Sequence, residues 1–259
     1  MTQSHPLAFD LETPALRLVV REAPWDSAVF AYPIVQIEEI AVRNPEAAID
    51  DYAGCFQWLQ QEKVGLASCR LPHNCLVESM FLEARGFRFV EMVLHPRLDR
   101  LSALVLPDDD LQLARAAETD LPALQAIAEQ AFSHERYHVD PRLDSRLGDR
   151  RYGRWVRNSL DHPTQRLFKV LDGGQLVGLF LLENLPDRSA YWHLTAIAPA
   201  WQGRGYGRRV WQAMLRHHQA EGCEEVNTTI AARNTPVLNL YAQLGFRFLP
   251  PEMTFHWLR

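Results

Sequence analysis

The residues with the clearest chemical consequence are Gln202-Gly203-Arg204-Gly205-Tyr206-Gly207. They follow an apolar stretch, Leu194 to Ala198, that ends at Pro199, and they run directly into an amphipathic segment. A glycine-rich turn between a strand and a helix presents unpaired backbone N–H groups and the positive end of a helix dipole, a combination that binds anions. Glycine is needed because a side chain would hold a pyrophosphate away from the backbone. No Gly-Lys-Ser/Thr follows, which excludes the P-loop, and Gly-x-Gly-x-x-Gly is not spelled out, which excludes the dinucleotide fingerprint. Just upstream, Tyr191, His193, Thr195 and Ile197 alternate and so are expected on one face of a strand. His193 is suited to accept a proton near neutrality. Glu183 could do the same, and a relay through water would need neither.

Around these residues the period of the pattern changes. Leu121, Leu124, Ile127, Ala128, Ala131 and Phe132 recur at helical spacing, with Asp120 suited to the N-cap and Pro122 to the first turn. A second helix is expected over 149–160. Strands over 167–171 and 176–182 flank Asp172-Gly173-Gly174, a hairpin signal because both glycines tolerate positive φ. A third strand over 190–198, a helix over 207–220, a strand over 225–231 and a helix over 235–244 follow. Gly245 suits the C-cap, and two short strands close the chain. A further short strand is expected over 111–116. The order predicts an α+β fold around a mixed sheet.

Composition frames this core. The chain has 259 residues, 47% of them hydrophobic and 23% charged, with a net charge of -5. That is the profile of a soluble globular protein, with no electrostatic footprint for nucleic acid or an anionic membrane. Cys55, Cys69, Cys75 and Cys223 lack CxxC spacing, so reduced thiols are expected rather than a disulfide framework, and no metal is expected. Met1 to Asp10 lacks a secretory pattern and no apolar run reaches the ~20 residues that cross a bilayer, so the expected compartment is the cytoplasm. The Pro and acidic seam Leu106-Pro107-Asp108-Asp109-Asp110 sets expected domains of 1–107 and 108–259. Before it lies an echo of the second half. Met80 to Val90, with Gly86-Phe87-Arg88-Phe89, mirrors Asn239 to Leu249, with Gly245-Phe246-Arg247-Phe248. Leu82 stands where the second half has Tyr241, and no Gly-x-Gly turn precedes the helix expected near 52–61. The first half therefore reads as a scaffold, not a second active site.

The glycine turn, with Asn234 and the run Leu240-Tyr241-Ala242-Gln243-Leu244-Gly245-Phe246, resembles the signature of the GNAT superfamily of N-acetyltransferases across 111–259. The resemblance implies a GNAT fold preceded by a smaller, degenerate GNAT-like N-terminal domain. It implies acetyl-CoA as co-substrate, with the pyrophosphate cradled by Gln202, Gly203, Arg204, Gly205, Tyr206 and Gly207, and with Asn234 nearby. Thr195, Ala196 and Ile197 would pair with the pantetheine arm as an added strand. Tyr241 would protonate the departing thiolate, and the general base stays open between His193, Glu183 and water.

Phe132 to Leu143, Tyr152 to Leu160, Pro24 to Phe30 and the aromatic end Phe255 to Arg259 are similar to the sugar-nucleotide N-acetyltransferases typified by dTDP-fucosamine acetyltransferase. That similarity implies the amino group of a nucleotide-linked amino sugar as acceptor. Arg136, His138, Asp140 and Arg142 suit sugar hydroxyls and phosphates, because Arg offers a planar fork for bidentate contact. A peptide or protein N-terminus, another small amine, and a catalytically inactive CoA-binding module are the alternatives. Homodimerisation is left open.

Overall fold

In the computed structural model, which describes residues 6–259, a helix, strand, helix and closing strand follow in that order in each half. Met1 to His5, part of the stretch read for a leader, lie outside the described residues. Two compact units emerge. One holds the chain through Val93 together with Pro250–Arg259, and the other is Leu94–Leu249. The acidic seam at 106–110 lies inside the second unit.

The first unit contains β1 (Ala8–Glu12), β2 (Leu16–Glu22), α1 (Pro24–Phe30), β3 (Ile34–Val42), α2 (Ala48–Gln61), β4 (Leu66–Pro72), α3 (Leu76–Ala84) and the start of β5 (Arg88–Asp99). Strands β1, β2 and β3 pair antiparallel in turn, and β4 joins β3 in parallel. The sheet is extended by β12 (Arg247–Leu258), antiparallel to β4 with Phe255 opposite Cys69. Ala48, Tyr52, Cys55 and Leu59 are spaced to form one stripe of α2, and all four are buried. They pack with Leu16, Leu18, Phe81, Leu82, Phe87 and Trp257.

The second unit contains β6 (Gln112–Arg115), α4 (Leu121–Ala131), α5 (Arg136–Val139), α6 (Ser145–Ser159), β7 (Gln165–Asp172), β8 (Gln175–Leu185), β9 (Ser189–Ile197), α7 (Tyr206–Ala220), β10 (Glu225–Thr228), β11 (Ile230–Ala231) and α8 (Thr235–Gln243). Strands β6 to β9 are antiparallel neighbours, β10 joins β9 in parallel, and β5 joins β10 antiparallel with Leu98 opposite Val226. One face of this sheet packs Phe180, Trp192, Val226 and Phe246 against Val210, Trp211 and Met214 of α7 and Tyr241 of α8. The other packs Leu179, Leu181, Leu194 and Ala196 against Leu124 and Ile127 of α4 and Tyr152 and Val156 of α6. Gly173 and Gly174 turn the β7–β8 hairpin at φ 53° and 82°.

The internal echo extends well beyond Gly-Phe-Arg-Phe. A shift of 159 positions carries Leu76, the start of α3, onto Thr235, the start of α8, and Arg88, the start of β5, onto Arg247, the start of β12. It also carries the end of α2 onto the end of α7 and the start of β4 onto the start of β10. Even the residues before the two short helices, Cys75 and Asn234, share φ -81° and ψ 63°.

Several local expectations change. The chain closes with one strand of 12 residues, not two short ones, because Pro250 and Pro251 are accommodated within it. Asp120 occupies the N-cap position of α4, with Pro122 in the first turn, but its side chain makes no capping hydrogen bond. It ends a short 3₁₀ turn, accepts from the Ala117 N–H and pairs with Lys169 Nζ at 2.8 Å. The strand expected over 225–231 breaks at Thr229 into β10 and β11. All four cysteines are free thiols, and no helix among the described residues is long and apolar enough to cross a membrane.

Candidate active site

The site is made where two neighbouring strands part company. Strands β9 and β10 pair only from Ser189–Trp192 to Glu225–Thr228. Past Trp192, β9 continues to Ile197 with β8 on one side, leaving its other edge without β10. A free strand edge carries unpaired N–H and C=O groups, which an extended ligand can satisfy.

At this point β9 also carries a bulge. Leu181 faces Leu194 while Leu182 faces Trp192, so His193 is the extra residue. A bulge re-aims the side chains that follow it. Trp192 therefore packs toward α7, whereas Leu194 and Ala196 pack toward α4 and α6. The single face expected for Tyr191, His193, Thr195 and Ile197 is consequently divided. The rings of Tyr191 and Trp155 lie 4.9 and 5.7 Å from the His193 ring. Ile197 packs with the cluster that holds Tyr241.

Beyond the end of β9, the turn through Pro199–Trp201 leads to the glycines. Gly203 and Gly205 take φ 73° and 80°, which explains glycine at both, and a Cβ built on either meets no atom within 4 Å. Gly205 is the N-cap of α7, with no side-chain cap hydrogen bond and no acidic residue in the first turn. The first N–H groups of a 15-residue helix thus have no side-chain acceptor. Cations near the turn divide by partner. Arg209 is held by Asp109 at 2.7 and 2.9 Å, Asp110 at 3.0 Å and Asp172 at 3.2 Å. Arg208 donates to Gln243 at 2.5 Å. Arg204 is exposed, carries no ion pair among the described residues, and lies 5.7 Å from the Trp201 ring centroid. Tyr206 donates to Asp172 at 2.6 Å, which pushes its phenol pKa up.

The turn and the free strand edge open onto one cleft of about 390 Å³. Of the expected co-substrate residues, Thr195, Ala196, Ile197, Gln202, Gly203, Gly205, Tyr206, Gly207 and Asn234 line it, whereas Arg204 does not. Sequence reasoning missed the apolar part of the wall, which includes Phe132, Trp201, Trp211, Val237 and Leu240. Phe132 was legible as a member of a helical stripe and Leu240 as part of the run around Tyr241, but neither spacing nor motif gives a sign that these side chains border a cleft.

Tyr241 lies just behind this wall, 2% exposed, with its ring 6.4 Å from Trp211 and 4.8 Å from Phe246. Burial raises its pKa, against opposing effects from Trp211, Thr195 and Thr228, so the phenol stays protonated at neutral pH. On the α6 side, His193 Nε2 is 3.3 Å from Glu183 Oε2. Burial lowers the His193 pKa, while Glu183 pulls the other way. Thr164, then His193, hold the Glu183 carboxyl below its usual range. At neutral pH this leaves a largely neutral imidazole beside a carboxylate.

The polar residues expected to meet an acceptor each have a partner within the fold. Arg142 makes a two-pronged pair with buried Asp140 at 2.9 and 2.7 Å. His138 meets Asp149 at 3.0 Å and stacks on Tyr152. Arg136 lies over the Tyr137 ring and donates to its hydroxyl at 3.1 Å. None of the four lines the cleft.

Residues 122–246 match the acetyltransferase (GNAT) family. The chain is 31% identical over 147 residues to dTDP-fucosamine acetyltransferase of Escherichia coli, covering 55% of this chain and 60% of that one. It is 30% identical over 137 residues to mycothiol acetyltransferase of Saccharopolyspora erythraea, covering 52% and 43%. Both matches span less than two thirds of the relative's length. Among solved structures, a tandem GNAT protein from the clavulanic acid biosynthesis pathway superposes on 96% of this chain and 85% of its own, with TM-score 0.60 at 13% identity.

Proposed function

We propose that the GNAT acetyltransferase domain carried by this chain moves an acetyl group from acetyl-CoA to the primary amine of a small acceptor, the amino group of a nucleotide-linked amino sugar. The observation that carries this reading is a single one: an uncapped glycine turn and a strand edge left without β10 share one cleft, the Ile197 C=O of that edge accepting from Gln202 Nε2 at 3.0 Å. The pyrophosphate is held by the N–H groups of Gly203 to Gly207, with Arg204 as the unpaired cation. The pantetheine arm lies along Thr195, Ala196 and Ile197, exchanging main-chain hydrogen bonds with them. This brings the thioester between Tyr241 on the α7–α8 side of the sheet and the His193–Glu183 pair on the α6 side.

The acceptor ammonium loses a proton to His193, directly or through water, and the free amine attacks the thioester carbonyl. As the tetrahedral adduct collapses and the C–S bond breaks, Tyr241 donates its proton to the departing thiolate, and the second proton lost by the nitrogen as the amide forms restores the phenol, directly or through water. Its raised pKa keeps that proton available, and the lowered pKa of His193 keeps the base ready. In this reading Arg136, His138, Asp140 and Arg142 act as a pre-formed wall on the acceptor side, held by Tyr137, Asp149 and the Arg142–Asp140 pair. The similarity to dTDP-fucosamine acetyltransferase supports an amino-sugar acceptor.

The first unit is a sibling without co-substrate. At the matching turn, Asn44 Oδ1 accepts from the N–H groups of Glu46 and Ala47 at 3.2 and 3.3 Å, and Asp50 and Asp51 sit in the first turn of α2. Glu78 accepts from the Val42 N–H at 3.2 Å, placing a carboxylate at the end of β3. Internal caps and negative charge exclude an anion there.

The test is release of the CoA thiol from acetyl-CoA across a panel of sugar nucleotides bearing amines, free amino sugars, amino acids, polyamines and peptides. Release with an amino sugar nucleotide well above all others is expected. Preference for a peptide N-terminus would overturn the acceptor assignment, and no release with any amine would overturn the transferase assignment.

A further inference from the structure

The helix α3 is apolar on two faces. Phe81 and Leu82 are buried in the first unit's core, yet Leu76, Val77 and Met80 on its outer side are 55%, 48% and 66% exposed. Ile49 of α2, 51% exposed, extends the same patch. Pro45, Glu46, Ile49, Val77, Met80, Phe81, Ala84 and Arg85 line a groove of about 380 Å³. An apolar helix face of this kind is normally covered.

The internal repeat supplies a control for this face. Under the shift that superimposes α3 on α8, Ile49, Leu76, Met80 and Ala84 correspond to Arg208, Thr235, Asn239 and Gln243. These four equivalents in the second unit are polar and exposed, whereas Val77 and Phe81 correspond to Pro236 and Leu240 of the cleft wall, so the contrast lies in the outer positions of the face. The same scaffold can therefore present a hydrophilic surface here, and in the first unit it does not. The patch is a property of this surface rather than a requirement of the fold.

We propose that this face is where a second copy of the chain docks, through a two-fold contact of α2 and α3 with their equivalents. An isologous contact requires a patch that complements itself. Here a protruding knob, Met80, stands beside a groove floored by Phe81 and the small Ala84. Charge complements in the same way. Glu46 and Arg85 both border the groove, and neither has an ion-pair partner among the described residues. In the proposed contact the two-fold axis is the one that sets each Glu46 against the other copy's Arg85. Arg85, already spread over the Phe81 ring at 4.7 Å, is pre-positioned for that pair.

Sedimentation velocity of the full chain from about 1 to about 100 µM tests this. A dimer is expected for the wild type. Met80→Glu should be monomeric, as should the triple variant Leu76→Thr, Met80→Asn, Ala84→Gln, which carries the surface residues of α8 and is safe for folding. Both should bind acetyl-CoA as the wild type does. Glu46→Arg and Arg85→Glu should each weaken the dimer by about tenfold or more, and the double reversal should restore it. A wild type that stays monomeric throughout, a dimer that survives both the Met80→Glu and the triple substitutions, or a double reversal no better than its singles would overturn the proposal. None of these outcomes bears on acetyl transfer, which is read separately.

Discussion

Replacing Tyr241 with Phe separates chemistry from packing. The ring is 2% exposed and held between Trp211 and Phe246, so Phe keeps nearly all the contacts of the native side chain. Only the hydroxyl is lost, from a position where Trp211, Thr195 and Thr228 act on it. The net worth of a typical hydrogen bond sets the stability loss at about 1 kcal/mol, too little to unfold a domain. The chemical loss is larger. A positioned general acid contributes roughly 10²–10⁴ in rate, so kcat should fall by about that factor while acetyl-CoA affinity changes little. Because burial holds the phenol pKa above its usual value, the deficit should be the same at pH 7 as at pH 8.5. Stopped-flow detection of the CoA thiol, with calorimetric binding in parallel, reads both quantities. Unchanged kcat would refute the proton-donor role, and lost affinity with kcat intact would make Tyr241 a binding residue.

Two further substitutions probe the site. His193 must be neutral to take a proton, and burial sets its pKa below the ordinary 6.5. The rate should thus be intact at neutral pH and fall only as pH drops through the lowered His193 pKa. His193→Gln should lower kcat/KM by at least about tenfold and abolish that acid limb, whereas an unchanged profile would leave the proton to Glu183 or water. Gly205→Val should fold, since a Cβ there meets nothing within 4 Å, but its φ of 80° strains any β-branched residue and the branch enters the cleft side of the turn. Acetyl-CoA affinity should drop by at least about tenfold, and undiminished affinity in calorimetry would remove the turn from the pyrophosphate site.

Much of this was legible because it is local. The glycine turn, the hairpin at Asp172-Gly173-Gly174 and the helix ending at Gly245 are each specified by neighbouring residues, and the structure forms all three. The exchange of closing strands was not legible. β5 follows α3 in the chain yet pairs with β10, and β12 follows α8 yet pairs with β4. Periodicity reports a strand and its faces but never its partner. The bulge at His193 escaped for a related reason, since one extra residue leaves the alternation of types unchanged while reversing the faces beyond it. The acidic run at 108–110 reads as a linker in composition, but Asp109 and Asp110 clasp Arg209 of α7. Arg136, His138, Asp140 and Arg142 have the residue types of a ligand site, and type alone does not reveal that each already has a partner in the fold.

The account turns on there being one co-substrate site, in the second unit, although the fold repeats. Calorimetric titration of the full chain with acetyl-CoA measures that directly. A stoichiometry of about one per chain is expected, because the uncapped turn at Gly203 to Gly207 has no counterpart at Asn44 to Ala48. A stoichiometry of two would show that the capped, acidic turn binds as well. No binding at all would contradict the reading of the cleft as an acetyl-CoA site.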